Sequence, residues 1–425
     1  MTVVRSPIPV REDAAAALHA LLHSQAVNTR RSVAALRPFK PADFKPAGAA
    51  PAALPSPAHL RAANLLISTL QKPLAAQALS LGREPAVPLV LKRKAALERG
   101  VKLAERVWAF YNELFSQRGT RFGDLLLGLD RMALDCYQAV YGGLGRARSI
   151  PSPPPYSFME TERTPSTFRR GVHMSKLGKR ANPFPIVQLP LHRMVNPWTL
   201  GAVHHEVAHN LQSDLGLWQE VPRRLGRRLS AAGLPQAVVN VWQRWHKETW
   251  ADLCAVLLGG PAIVNSLFDV LVRPAHQAGR FNPKGVHPTP YLRALINLEL
   301  LAHLGFTAEA AALRKVWRRL YPAGAAGSIP PVMLETFVPA SRLVVQTICF
   351  EPYAQLGDKA LAEVTRFNHT HRGMVQEAAT RVAQGLDPGI LPERFLVAAA
   401  RQALTRGYAP PEAIRRNVYR ALLKR

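Results

Sequence analysis

Two carboxylates in an apolar helical segment limit the folds that are open to this chain. Apolar residues recur at helical spacing over residues 235–258, and Glu248 and Asp252 stand four residues apart on one face of that predicted helix. A helix this apolar is expected to be buried, and burying two carboxylates is costly unless a cation or hydrogen-bond donors lie beside them. Any fold of this chain must therefore bring such partners to Glu248 and Asp252.

A second predicted helix, over 197–214, offers such a partner. Asn196 and Pro197 predict its start, because asparagine caps free amides and proline at the first helical position loses no hydrogen bond. His205 and His209 are four residues apart on this helix, so both imidazoles can bind the same ion. Glu206, one step round the helix, can then take a proton from a metal-bound water.

A catalytic zinc site needs a third protein ligand and an open position for water. Glu248 can be that ligand, and Asp252 can accept the ring N–H of a ligand histidine and so fix its tautomer. Two alternatives stay open at this point. The two carboxylates can form a solvated ion pair with Lys247 or Arg244, and His246 can replace Glu248 as the ligand.

The motif His-Glu-x-x-His followed by Glu-x-x-Ala-Asp resembles the motifs of the gluzincin zinc metallopeptidases. The alanine before Asp252 resembles the pattern in one membrane-embedded branch of that family. The resemblance covers roughly residues 180–300. It implies a metalloendopeptidase with one catalytic Zn²⁺, a general base and an orienting carboxylate. The residues that carry these roles are the ligands His205, His209 and Glu248, the base Glu206, and Asp252.

The same branch tends to carry a downstream His-Pro pair with an arginine after it, and His287, Pro288 and Arg293 are similar. His287 or Tyr291 can donate a hydrogen bond where negative charge develops during peptide hydrolysis. If His287 only caps a loop before Pro288, it neither donates this hydrogen bond nor binds substrate. His204 lies on another face of the predicted helix 197–214, and we expect it to be packed in the core or to cap a backbone group.

The expected fold class is mainly α: a gluzincin-like metallopeptidase core with a small edge-strand element, embedded in additional helical regions. Four regions are predicted from the helical patterns and the proline-rich breaks. They are an N-terminal helix with a Pro/Ala-rich arm at 1–55, a helical region at 56–148, the zinc metallopeptidase core at 149–305, and a C-terminal helical region at 306–425.

The apolar run 184–190 predicts one β-strand, and the prolines around it predict an edge strand, because proline has no N–H to donate to a neighbouring strand. An edge strand beside the zinc helix could pair with an extended peptide substrate.

The formal net charge is +27, from 55 basic and 28 acidic residues. Such a charge favours polyanions such as nucleic acid, anionic lipid or acidic proteins as partners. Arginines spread over solvated helix faces would give the same total. Basic residues cluster at 92–94, at 415–425 and at 223–228, the last in the predicted loop between the two zinc helices.

The three cysteines form no Cys-x-x-Cys pair and no disulfide framework, so reduced thiols are expected. No apolar signal peptide is evident at the N-terminus. The most apolar window, 249–272, contains Asp252 and Asp269, which a membrane span tolerates poorly. A soluble cytoplasmic protein is expected, with specialised secretion left open and the oligomeric state undetermined.

Three classes of function follow. The first is a zinc metallopeptidase that acts on proteins or peptides. The second is a basic nucleic-acid-associated protein. The third is a non-catalytic scaffold that retains a zinc site.

Overall fold

A computed structural model describes residues 10–45, 53–81, 86–145, 149–160, 164–322, 325 and 327–424. The chain divides into two compact units, Met1–Thr120 with Val172–Pro183, and Arg121–Gly171 with Phe184–Arg425. Both units consist mainly of helices, which confirms the mainly α fold class. The four-region division stays a prediction.

The helices within these residues are numbered in chain order. They are α1 Val10–Ala35, α2 Pro57–Ser80, α3 Val87–Ser116, α4 Gly123–Leu144, α5 Leu191–Met194, α6 Gly201–Asp214, α7 Glu220–Ala231, α8 Gln236–Gly259, α9 Pro261–Leu271, α10 Ala275–Ala278, α11 Pro290–His303, α12 Thr307–Leu320, α13 Pro331–Glu335, α14 Phe337–Val345, α15 Leu361–Val364, α16 His369–Ala383, α17 Leu396–Thr405 and α18 Pro411–Leu423. The strands are β1 Tyr156–Met159, β2 Ser166–Phe168, β3 His173–Met174, β4 Arg180–Ala181, β5 Ile186–Leu189, β6 Pro352–Tyr353 and β7 Lys359–Ala360.

The first unit contains α1, α2 and α3 with the short antiparallel pair β3–β4. The helices pack on a small apolar core, and the rings of Phe39, Phe44 and Phe115 contact one another in an aromatic cluster. No residue of the predicted zinc site belongs to this unit.

The core of the second unit is built around α6 and α8, which pack against each other. The apolar face of α8 explains this position, because Trp242, Trp245 and Trp250 are all buried. Helices α4, α7, α9 and α11 pack around the pair. The burial predicted for the 235–258 helix is therefore confirmed.

A three-stranded sheet in the second unit has the order β1–β5–β2, with β1 parallel and β2 antiparallel to β5. The prediction of an edge strand at 184–190 was wrong, because β5 is the central strand. Pro185 and Pro190 lie just outside β5, so they remove no hydrogen bond from its ladder. The carbonyl of Pro185 even accepts a hydrogen bond from Tyr156. The two edges of the sheet are formed by β1 and β2.

Local predictions failed in two further places. The basic cluster 223–228 lies on helix α7 instead of in a loop. Asn196 does not cap α6: its side-chain amide donates to the carbonyl of His192, and a 3-10 turn, Pro197–Thr199, precedes that helix.

Among the residues described, no helix is both long and apolar enough to cross a lipid bilayer.

Candidate metal centre

Three side chains from α6 and α8 converge at one point of the second unit. The Nε2 atoms of His205 and His209 lie 3.1 Å apart. Glu248 reaches both rings, with Oε2 3.3 Å from Nε2 of His205 and Oε1 3.4 Å from Nε2 of His209. The three residues form a group that could hold a metal ion, as the spacing predicted.

The donor set and its spacing fit zinc. Zinc binds imidazole nitrogen and carboxylate oxygen at about 2.0–2.2 Å, so neighbouring ligands of a tetrahedral ion lie about 3.3 Å apart. The three separations among His205, His209 and Glu248 are close to that value. Two imidazole nitrogens and a carboxylate this close require either a shared proton or a cation between them.

Asp252 orients the first of these histidines. Its Oδ1 lies 2.8 Å from Nδ1 of His205, so a neutral His205 that carries its proton on Nδ1 leaves Nε2 free to bind an ion. Asp252 is buried and is held in turn by Arg293 on α11, whose guanidinium donates to both carboxylate oxygens at 2.6 and 2.8 Å. The same guanidinium contacts Glu248 at 3.3 Å. The solvated pairing of these carboxylates with Lys247 or Arg244 was therefore a wrong alternative.

Charges around the group keep its carboxylates ionised. Burial raises the pKa of Asp252, but the charge and hydrogen bonds of Arg293 outweigh it and lower that pKa to about 2. Burial also raises the pKa of Glu248, yet its contacts with His205, His209 and His287 lower it overall. Both carboxylates are thus available as a ligand and as an acceptor at neutral pH.

The pKa of His205 responds to the same environment. Burial lowers it, but the neighbouring Asp252 and Glu248 raise it to about 10. A metal ion must therefore compete with a proton for Nε2 of this ring, and its affinity is expected to fall with pH.

Glu206 lies beside this group and lines the same cleft. Its side chain is buried, and burial raises the pKa of its carboxyl group. The neighbouring His205 and His209 act in the opposite direction. A carboxylate with a raised pKa is a stronger base than an exposed one, which suits it to proton transfer.

The cleft has a volume of about 1030 Å³ and passes along the sheet edge. Residues 164–167, which include part of β2, line it together with the three candidate ligands. Asn210 connects β2 to helix α6, since its side-chain amide donates to Oγ1 of Thr167 at 2.7 Å. The strand that lines the cleft beside the ligands is therefore β2, whereas the sequence pointed to 184–190.

The two residues predicted to donate a hydrogen bond during hydrolysis, His287 and Tyr291, lie in different surroundings. Nε2 of His287 lies 3.2 Å from Oε2 of Glu248, and the side chain is 61% exposed at the cleft. Tyr291 does not line the cleft: its ring packs against Tyr321, and its carbonyl accepts a hydrogen bond from Trp317. The role predicted for Tyr291 in the site is therefore not supported by its position.

The remaining histidines beside the site have other contacts. His204 is fully buried, and its Nε2 lies 2.9 Å from the carbonyl oxygen of Arg394, so the expected packed role is confirmed. Burial lowers the pKa of His204 to about 4. Nδ1 of His246 faces the carbonyl of Gln243 at 2.6 Å, and its ring packs on Trp218. His246 is thus not one of the converging ligands.

Sequence reasoning missed the role of Arg293 and its support by Asn297, whose amide lies 3.4 Å from Oδ2 of Asp252. The signal was present, because both polar residues interrupt an apolar helical pattern four residues apart. It also did not predict that Trp218, Arg169 and Lys247 line the cleft. Nothing in their local sequence links the three residues.

Comparisons of this chain with protein-family models, with curated proteins and with solved structures found no match.

Proposed function

We propose that this chain is a zinc-dependent metalloendopeptidase of gluzincin type. The observation that carries the proposal is the convergence of His205, His209 and Glu248 in a cleft that Glu206 also lines. The pattern of the two helices resembles that of gluzincins, and the supporting contacts of Asp252 add the hydrogen-bonded carboxylate that zinc ligands usually have.

His205, His209 and Glu248 would hold the ion. When bound, Zn²⁺ supplies an electrophilic centre for a carbonyl oxygen and makes water acidic enough to lose a proton near neutral pH. Neighbouring side chains orient these ligands in advance, since Asp252 fixes the tautomer of His205 and Arg293 holds Glu248 and Asp252 in place.

Glu206 is the proton carrier in this proposal. Its carboxylate takes a proton from the attacking water and then donates it to the nitrogen of the departing amine. Burial raises the pKa of Glu206, which favours both halves of this transfer near neutral pH. The carboxylate is regenerated when the amine leaves.

Two features would position a peptide. The edge strand β2 lines the cleft, so an extended substrate can add to the sheet beside the ligands. His287, exposed next to Glu248, can donate a hydrogen bond to the carbonyl oxygen as negative charge develops there.

The test is the Glu206→Gln variant, loaded with zinc and compared with the unaltered protein on a mixture of denatured proteins. We expect cleavage to fall by at least ~10³-fold while one zinc per chain is retained. Val187→Ala, a change at a buried position outside the ligand group, is the control. Equal turnover by the Glu206→Gln variant would refute the proposed chemistry, as would absence of cleavage by the zinc-loaded protein.

A scaffold with only a structural zinc site predicts a different result. In that case the unaltered protein binds zinc without cleaving any substrate, and His205→Ala lowers its stability.

A further inference from the structure

One arginine of the cleft has no counter-ion. Arg193 lies on the short helix α5 after β5, and it lines the cleft that contains the candidate metal ligands. Its Nε atom is buried without a hydrogen-bond partner, and among the residues that the structure describes no carboxylate lies within 4.0 Å of its guanidinium. A half-buried guanidinium in this position costs free energy, because it has lost water without gaining an acceptor in exchange.

The acidic residue whose charge acts on Arg193 is already paired with another cation. Asp269 on α9 accepts hydrogen bonds from Arg401 on α17. Arg401 also donates to the carbonyl of Trp198 at 3.0 Å, which connects this pair to the turn before α6. Burial lowers the pKa of Arg193, whereas the charge of Asp269 raises it and that of Arg401 lowers it. Asp269 therefore serves Arg401, and Arg193 stays available for an acceptor from outside the chain.

The contacts of Trp198 place these charges at the N-terminal end of α6. Ser266 on α9 donates to the same carbonyl at 3.0 Å, and a Cβ atom at Gly201, the first residue of α6, would lie 2.6 Å from Cβ of Ser266. Because residue 201 is glycine, α9 can approach the start of α6 this closely. His205 follows Gly201 by one helical turn, ~6 Å along the axis. An extended peptide covers such a distance with about two residues.

The charge of the cleft favours an anionic ligand. Its lining contains six lysine and arginine residues but four acidic ones, and a bound Zn²⁺ would add two more positive charges. Three of the four acids, Glu206, Glu248 and Asp252, belong to the candidate metal site, and the fourth is Asp269. In a peptide, the group that matches a guanidinium in charge and shape is a carboxylate, which accepts two parallel hydrogen bonds from it. It comes from a glutamate or aspartate side chain or from the C-terminus.

We propose that Arg193 binds a substrate carboxylate and makes the cleft selective for peptides that carry one about two residues from the scissile bond. This proposal rests on the proposed peptidase function, because it assumes that the cleft binds peptides. It adds a substrate class, acidic peptides or peptides held by their C-terminal carboxylate.

Thermal unfolding of the metal-free protein separates a binding role of Arg193 from a structural one. Arg193→Met keeps the length of the side chain and removes its charge, so the midpoint should stay unchanged or rise. Arg401→Met is the matched control: it leaves Asp269 without its partner and should lower the midpoint by about 2 °C. An equal loss in both variants would show that Arg193 is a structural partner of Asp269 and would overturn the proposal.

Binding is measured apart from turnover. Zinc-loaded Glu206→Gln protein is immobilised and offered three pools of acetylated octapeptides with random neutral residues. The first pool has one fixed glutamate and an amidated C-terminus, the second has glutamine in its place, and the third has glutamine and a free C-terminal carboxylate. We expect one of the carboxylate pools to be retained about fivefold more than the neutral pool, and this ratio to shrink as salt is added.

Variants in the same Glu206→Gln background assign the preference. Arg193→Met should bring the ratio close to one, whereas Arg193→Lys keeps the charge and should keep part of the preference. Arg280→Met removes another arginine that lines the cleft and should leave most of it. If Arg280→Met lowered the ratio as much as Arg193→Met, the preference would come from the overall charge of the cleft, and the proposal would fail.

The remaining outcomes distinguish this proposal from the peptidase chemistry. Stronger retention of the glutamate pool supports recognition of a side chain, and stronger retention of the third pool supports recognition of the C-terminus. Equal retention of all three pools, or a preference that survives Arg193→Met, overturns the role of Arg193 even if the unaltered protein cleaves peptides. A preference that depends on Arg193, with no cleavage by the unaltered protein, refutes the peptidase chemistry and leaves the carboxylate site standing.

Discussion

The guanidinium of Arg293 donates hydrogen bonds to both oxygens of the Asp252 carboxylate, with Nε 2.6 Å from Oδ2 and Nη2 2.8 Å from Oδ1. Asp252 uses the second of these oxygens to face Nδ1 of His205 at 2.8 Å. A residue on α11 therefore fixes the orientation of a candidate ligand on α6 through a carboxylate on α8. Three helices must be packed correctly before His205 can present its Nε2 atom.

Arg293→Lys should weaken zinc binding by about 10–100-fold, because lysine keeps the charge but cannot donate in parallel to both carboxylate oxygens. Competition with a fluorescent chelator measures the affinity. Asn297→Ala, which removes only a 3.4 Å contact to Asp252, should have a smaller effect. Unchanged zinc affinity in Arg293→Lys would show that the paired hydrogen bonds from Arg293 to Asp252 do not orient His205.

Zinc should stabilise the folded chain through the three converging ligands. With free zinc at 100 times its dissociation constant, the free energy of unfolding should rise by about 2.7 kcal/mol. Urea denaturation with zinc and with EDTA measures this difference, and His209→Ala should abolish it. If zinc stabilised the alanine variant equally, the ion would be bound elsewhere.

His287 and Tyr291 should differ in their effect on hydrolysis. His287→Gln should lower kcat/KM by about 10–100-fold at unchanged zinc content, because its ring lies at Glu248 in the cleft. Tyr291→Phe should leave kcat/KM unchanged, since that ring packs against Tyr321. An equal loss in both variants would contradict the placement of Tyr291.

A peptide bound along β2 should depend on its own backbone amides. Replacing single amides of a cleaved peptide by esters removes one N–H at a time, and we expect a loss of about tenfold in kcat/KM at alternate positions. An ester scan that is flat along the peptide would argue against pairing with the sheet edge.

The stability of the metal-free protein should depend on His204. Burial lowers the pKa of this histidine from 6.5 to about 4, so between these values the unfolded chain binds a proton that the folded chain does not. This contribution is absent above pH 6.5, and as the pH falls toward 4 it removes stability, on the order of 3 kcal/mol at most. Urea denaturation in EDTA at pH 7.5, 6 and 5 measures it. His204→Gln should show a flatter decline, and an identical decline would rule out this histidine as the cause.

Much of the candidate site was predictable from the sequence, because its residues form pairs that lie four positions apart within single helices. The spacing of His205 and His209, and of Glu248 and Asp252, places each pair on one helical face whatever the rest of the chain does. The apolar surroundings of Glu248 and Asp252 also predicted that this pair is buried and needs a cation or hydrogen-bond donors beside it. Helical periodicity is a local property, so the mainly α fold was predictable in the same way.

The tertiary structure alone decided which elements meet. Arg293 reaches Asp252 only because α11 packs on α8, and β5 became the central strand because β1 and β2, distant from it in sequence, pair on both of its edges. Such pairings depend on the packing of the whole unit and leave no periodic trace in the sequence. The contacts of Arg169 and Lys247 with the Trp218 ring are of the same kind, since these residues come from a strand end, a helix and a loop that only folding brings together.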